Sequence, residues 1–240
     1  MSNLIIDEGN TLCKAAIADN GVIVSQTAGA DVDAALSQLL TSHHNINNII
    51  SISTRREKVE LPDDLKAIPH TRLDATTKLP IKIDYSTPQT LGRDRVAAAV
   101  GAQVLFPASN VLIIDVGTAI TIDFLDKTGI YHGGVISPGP EMRAKALNTF
   151  TGRLPLVEVP DKAEMAGKDT TTAIQYGIFN GIVYEIEGYI NRDRKENQYI
   201  KVITTGGFGK LFKHSDALYE PYLVLIGMNR ILENLSCSLS

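Results

Sequence analysis

Leu4-Ile5-Ile6-Asp7-Glu8-Gly9-Asn10-Thr11 and Leu112-Ile113-Ile114-Asp115-Val116-Gly117-Thr118-Ala119 follow one pattern. Each is a short Leu/Ile run closed by Asp, then any residue, then Gly, then a small side chain. A second apolar stretch follows each copy, Lys14 to Ala18 in the first and Ile120 to Phe124 in the second. Runs this short, bounded by Gly and Asn, read as buried strands and not as helices. An internal duplication fixes architecture before any other signal is weighed. Here it predicts two similar strand–turn–strand subdomains, each presenting one carboxylate to a common cleft.

The chemistry of the repeat follows from its parts. The Asp stands where the strand ends. The Gly two residues on permits a tight turn and lets backbone N–H groups approach a ligand closely. A carboxylate does not bind phosphate without a cation between them. Two such turns therefore point to a nucleotide whose phosphates are bridged by Mg²⁺. The chain has no G-x-x-x-x-G-K-[S/T] phosphate loop and no G-x-G-x-x-G after a strand, so the two commonest nucleotide motifs are excluded.

Composition narrows the class. The chain has 240 residues, 44% hydrophobic and 21% charged, with net charge −4. That is an ordinary globular composition, large enough for a substantial core. A mildly acidic balance argues against a dedicated nucleic-acid binder. No apolar run reaches the roughly 20 residues that cross a bilayer, and Asp7 and Glu8 interrupt any secretory core. These features predict a cytoplasmic protein with no membrane or nucleic-acid partner. Cys13 and Cys237 have no metal-like spacing and read as reduced thiols.

Along the chain, residues 3–8, 12–18 and 22–24 read as strands, 31–41 as a helix, 48–53 as a strand and 61–67 as a short helix. Residues 78–88 read as extended and 90–104 as a helix. The second repeat brings strands at 111–116 and 119–125. A Gly/Pro-rich segment follows at 132–140, then helices at 141–148 and 172–191. A strand at 200–205 and a helix at 228–235 end the pattern. The predicted subdomains are 1–108 and 109–240. The helix at 172–191 carries Ala173, Gly177, Gly181 and Gly188 along one face. An interior Gly costs a helix about 1 kcal/mol, so this face implies close helix packing, within the chain or across a dimer.

Outside the repeats, Asp94 is the most informative residue. It lies in Gly92-Arg93-Asp94-Arg95 at a helix start. A carboxylate so placed can accept the proton of an attacking hydroxyl, and its arginine neighbours can fork onto an anionic substrate. Thr204-Thr205-Gly206-Gly207 follows a strand, and such a turn can lie flat against an adenine or ribose.

Taken in order, several short blocks resemble the type III pantothenate kinase family. They are D-E-G-N-T at 7–11, T-P-Q-T-L-G-R-D-R at 87–95 and I-D-V-G-T-A-I-T-I-D at 114–123. They continue with G-G-V-I-S-P-G-P at 133–140, R-L-P at 153–155, D-T-T-T-A-I-Q-Y-G at 169–177 and T-G-G at 205–207. The resemblance implies an α/β, actin-like fold of the acetate and sugar kinase superfamily, with duplicated ribonuclease-H-like subdomains. It implies phosphorylation of pantothenate by ATP in a homodimer that uses Mg²⁺ and a monovalent cation, K⁺ or NH₄⁺. Carried over by motif, Asp7, Glu8, Gly9, Asn10, Thr11, Leu12, Cys13 and Lys14 form the ATP-phosphate turn, and Thr118 is an ATP contact. Asp94 is the general base. Tyr85, Gly92, Arg93, Asp94, Arg95 and Thr170 touch the substrate, Thr170 from the neighbouring subunit. Asp115 is the monovalent-cation ligand. Glu8 departs from the family, which usually has an apolar residue there; an acid pointing at the phosphates would weaken ATP binding. The rival readings are another small-molecule kinase of the same fold, or a non-catalytic regulatory accessory factor.

Overall fold

The computed structural model describes residues 2–42, 45–56, 58–197, 199–211 and 216–237. The first sheet is built from β1 (Ser2–Glu8), β2 (Cys13–Asp19), β3 (Val22–Gly29), β4 (Asn48–Ser53) and β5 (His70–Arg72), in the order β3-β2-β1-β4-β5. β1 runs antiparallel to β2 and parallel to β4, and β4 runs parallel to β5. The second sheet is built from β6 (Lys82–Ile83), β7 (Val111–Val116), β8 (Ala119–Leu125), β9 (Ile130–Pro138), β10 (Lys201–Thr205) and β11 (Ala217–Tyr219). Its order, β11-β10-β7-β8-β9-β6, repeats the first plan with one edge strand added. β7 is antiparallel to β8 and parallel to β10, as β1 is to β2 and β4. The duplication read from the Asp-x-Gly turns is thus a duplication of strand order.

The helices are α1 (Val32–Leu39), α2 (Arg93–Leu105), α3 (Pro140–Phe150), α4 (Thr170–Glu196) and α5 (Leu223–Cys237). The chain forms two compact units. One comprises Met1–Ala108, Thr128–His132 and Tyr222–Ser240; the other comprises Ser109–Lys127 and Gly133–Pro221.

In the first unit both faces of the sheet are covered. Leu4, Ile6, Cys13, Ala15 and Ile17 meet Val32, Ala35, Leu36 and Leu39 of α1 on one side. α5 packs on β1, β2 and β4 and lies along α2. Leu4, Ile5 and Ile6 are therefore all fully buried, which explains a continuous apolar run instead of alternation. α1 begins at Asp31, whose side chain accepts from the Ala34 N–H at 2.8 Å. A buried amide pair ties α5 to β1, with Asn3 Nδ2 donating to Asn229 Oδ1 at 3.0 Å.

In the second unit α4 places Ile174, Ile178, Ile182, Ile186 and Ile190 against Leu112, Ile114, Val116, Ile120 and Ile122. The helix starts with a capping box: Asp169 accepts from the Thr172 N–H, and the Thr172 hydroxyl reaches back to the Asp169 N–H.

Three expectations change. Residues 61–67 form only a 3₁₀ turn at Asp63–Leu65, closed by i→i+3 bonds such as the Leu65 N–H to the Pro62 carbonyl at 3.0 Å. The Gly/Pro-rich stretch is mostly strand β9, with Tyr131 fully buried. Of the small residues of α4, Ala173 lies against Gly167, but the glycines make no close helix contact within the described chain. A Cβ on Gly177 or Gly188 would meet nothing within 4 Å, and one on Gly181 would meet only Arg143 at 3.7 Å. The close helix contact lies between α2 and α5, where Gly101 and Gly227 face each other.

Candidate active site

In the first unit Asp7 stands at the carboxyl end of β1, and Arg93 is tied to the turn that follows β5; the carboxyl ends of parallel strands are where open α/β sheets bind ligands. Asp7 is the penultimate residue of β1, half-buried, in register with Ile52 on β4 and Lys14 on β2. Cross-strand partners share a face, so Lys14 stands on the Asp7 side of the sheet. The turn closes through a Gly9 N–H to Leu12 carbonyl bond of 3.0 Å, leaving Asn10, Thr11 and Leu12 exposed.

Glu8 and Cys13 occupy the other face, since strand side chains alternate. Glu8 is fully buried. Its Oε2 accepts from Ser53 Oγ at 2.7 Å, and its Oε1 faces Arg56 Nη2 at 2.6 Å, an ion contact without a well-aligned N–H. The acid at position 8 is thus neutralised on the α1 side and adds no charge to the Asp7 face. Burial, reinforced by Asp7 and Glu8, pushes the Cys13 thiol up to about 12, so it is no nucleophile at neutral pH. In native protein at pH 8, a disulfide reagent is expected to modify exposed Cys237 quickly and Cys13 only after denaturation. Fast labelling of both thiols would contradict this packing.

Asp94 sits in the first turn of α2, half-buried, with its Oδ1 accepting from the Arg95 N–H at 2.9 Å. Arg95 is buried. Arg93 spends its guanidinium on backbone, donating to the Asp74 carbonyl at 3.4 Å and to the Pro88 carbonyl. It thereby stitches the T-P-Q-T loop and the turn after β5 to the start of α2. These elements line a pocket of about 370 Å³ bounded by Ser53, Arg72, Asp74, Gln89, Leu91 and Arg93. Asp74 is held by its own turn. Bonds from the Thr76 hydroxyl and N–H, joined by Thr77, keep its carboxyl below the usual range. Tyr85 is half-buried on the segment just after β6, whose edge is fixed by an Asp84 N–H to Tyr131 carbonyl bond of 2.9 Å.

In the second unit Asp115 is the penultimate residue of β7, in register with Thr205 on β10. The T-G-G turn lies directly against it. A Cβ on Gly206, whose φ is +85°, would fall 2.3 Å from Asp115 Oδ1, so only glycine fits. The Phe208 N–H closes the arrangement on the Val116 carbonyl at 3.0 Å. Thr118 is exposed on the β7–β8 turn, and its carbonyl accepts from the Gly139 N–H at 3.0 Å. Thr170 is the first residue of α4, exposed.

Sequence reading missed Arg72, Asp74 and Gln89 as pocket residues. The Asp-x-Thr-Thr pattern at 74–77, a side-chain-capped turn, was the available signal. It also missed that the T-G-G turn seats against Asp115. Among the described residues no three His, Cys, Asp or Glu side chains gather into a metal cluster. No such cluster of described residues surrounds Asp7 at the end of β1. A single carboxylate suits Mg²⁺ whose other ligands are phosphate and water.

Two sheets of one strand order, each with a carboxylate turn at the end of its leading strand, define the actin-like fold of the acetate and sugar kinase superfamily. Solved structures agree on the fold. An activator of 2-hydroxyisocaproyl-CoA dehydratase from Clostridium difficile, solved with bound ADPNP, matches with a TM-score of 0.61 at 13% identity, covering 100% of this chain and 97% of that one. A ROK family glucokinase from Streptomyces griseus, in complex with glucose and AMPPNP, matches with a TM-score of 0.53 at 11% identity, covering 96% and 99%. The family is given by sequence. The model of type III pantothenate kinase matches residues 3–192. A type III pantothenate kinase from Phocaeicola vulgatus is 40% identical over 235 residues, 96% of this chain and 97% of that protein. The chain belongs to the type III pantothenate kinase family.

Proposed function

We propose that this chain transfers the γ-phosphoryl group of ATP to the primary hydroxyl of pantothenate, giving 4′-phosphopantothenate and ADP, the first step of coenzyme A synthesis. The observation that carries this is the family match over residues 3–192, inside which Asp7, Tyr85, Asp94, Asp115, Thr118 and Thr170 all fall. Asp94 takes the hydroxyl proton as the new O–P bond forms and the bond to ADP breaks. Phosphoryl transfer is mostly positioning and charge stabilisation, and the remaining assignments serve those ends. The turn from Asp7 to Lys14 and the hydroxyl of Thr118 hold ATP. Mg²⁺, when bound with ATP, supplies charge for the β- and γ-phosphates. Asp115 holds K⁺ or NH₄⁺. Tyr85, Gly92, Arg93 and Arg95 hold pantothenate.

We further assign Thr170 to the substrate site of a neighbouring subunit in a homodimer. The face of α4 carrying Gly177, Tyr184 and Gly188 supports this reading, because all three are exposed and a Cβ on either glycine would meet nothing within 4 Å in the described chain. The protein works in the cytoplasm, where ATP and pantothenate are available; among the described residues no helix is long and apolar enough to cross a membrane.

A coupled assay of ADP release tests the proposal. Turnover is expected to require pantothenate and to be faster in K⁺ than in Na⁺. Turnover with a hexose but not with pantothenate would make the chain a different kinase of this fold. Salt-sensitive DNA binding without turnover would make it a regulator.

A further inference from the structure

A charged pair that the reaction does not use lies in the second unit, midway along α4. Glu185 follows the α4 face that carries Ile182 and Ile186 into the core, yet it is ionisable and mostly buried. Both its oxygens are engaged. Oε1 accepts from Ser137 Oγ at 2.5 Å, and Oε2 is ion-paired with Arg143 Nη2. Arg143 has a second task, since its Nε donates to the Pro138 carbonyl at 2.8 Å. The pair therefore grips both Ser137 and Pro138, immediately before Gly139.

Gly139 is the contact to the β7–β8 turn. Its N–H donates to the Thr118 carbonyl at 3.0 Å. Its backbone lies so close that a Cβ would stand 2.2 Å from the Gly117 carbonyl oxygen and 2.4 Å from that of Thr118. A chain of direct contacts runs from Glu185 through Arg143, Pro138 and Gly139 to Thr118. A partly buried ion pair is weak evidence for stability, because desolvation offsets its attraction. What a fully satisfied pair does supply is one fixed geometry.

We propose that Glu185, acting through Arg143, is a positioning residue that holds the Gly117-Thr118 turn in its nucleotide-binding geometry. This rests on the assignment of that turn to ATP. It predicts that loosening the pair weakens the nucleotide and spares the acceptor.

The test is calorimetric binding of MgADP to the full chain, with steady-state kinetics alongside. Glu185→Ala is expected to raise the Kd for ADP about tenfold, the order of loss for a slightly misplaced contact. The KM for pantothenate should stay within about twofold of wild type. Glu185→Gln, which can flip its amide to keep a partner for both Ser137 and Arg143, should recover most of the affinity. Arg143→Lys cannot reach both Pro138 and Glu185 and should behave like Glu185→Ala; it serves if the alanine variant does not fold. A lower melting temperature with unchanged ADP affinity in Glu185→Ala or Arg143→Lys would reduce the pair to a structural contact and overturn the proposal. Thr118→Ala separates the two levels. If it weakens ADP while Glu185→Ala does not, the positioning role fails and the turn assignment stands. If neither weakens ADP, both fail.

Discussion

Asp94→Asn is expected to lower kcat at least about a hundredfold, the lower end for loss of a positioned acid–base group. ATP binding should change by no more than a few-fold. The amide has the size of the carboxylate and can keep the contact with the Arg95 N–H, but it cannot take a proton. Because Asp94 lies in the first turn of α2, losing its charge also removes a favourable interaction with the helix dipole, about 0.3–1 kcal/mol at an exposed site. That is too small to unfold the protein, so the fall in turnover is separable from stability by comparing melting curves. A variant that retains wild-type kcat would show that Asp94 is not the base.

Gly227→Ala is expected to destabilise the protein by at least about 3 kcal/mol, the upper part of the range for overpacking. A Cβ at this position would stand 1.8 Å from the Ala97 carbonyl oxygen and 2.7 Å from the Gly101 nitrogen. A Cβ on Gly101 would stand 2.3 Å from the Leu223 carbonyl oxygen. The obstructing atoms are backbone on both helices, so no rotamer change relieves the clash and α2 and α5 must separate. At this chain length 3 kcal/mol corresponds to a loss of roughly 6–12 °C in Tm. Gly152→Ala is the control, since a Cβ there would meet nothing within 4 Å, and it should leave Tm nearly unchanged. Equal Tm values for the two variants would refute the helix contact.

Much of the fold was legible because it rests on local signals. The Leu-Ile-Ile-Asp runs announce strands covered on both faces, and the Asp-x-Gly turns mark where each strand delivers its carboxylate. β5 and β11 were not legible. Each is three residues long: β5 is His-Thr-Arg with His70 and Arg72 exposed, and β11 is Ala-Leu-Tyr, too short for a two-residue period to show. β9 was hidden by Gly133, Gly134 and Pro138, residues that normally mark loops.

The orientation of Glu8 could have been read from the two-residue period, which puts it with Leu4 and Ile6; its neutralisation by Arg56 could not. The seating of Gly206 against Asp115 joins residues far apart in sequence, and no local pattern encodes it. The glycines of α4 suggested a helix contact within the chain or across a dimer; within the chain the close contact is made by Gly101 and Gly227, on two other helices. Of the candidate site, the motif residues were visible and their supports were not. Arg93 tied to carbonyls, Asp74 held by its threonines and Arg143 bridging Pro138 to Glu185 are relations that only folding creates.

The placement of α5 with the first unit has a consequence for biosynthesis. During translation the opening sheet emerges early with one side greasy and uncovered, and it must wait for residues 223–237 to leave the ribosome. The middle of the chain has no such debt and is free to fold first. Maturation would then proceed out of chain order.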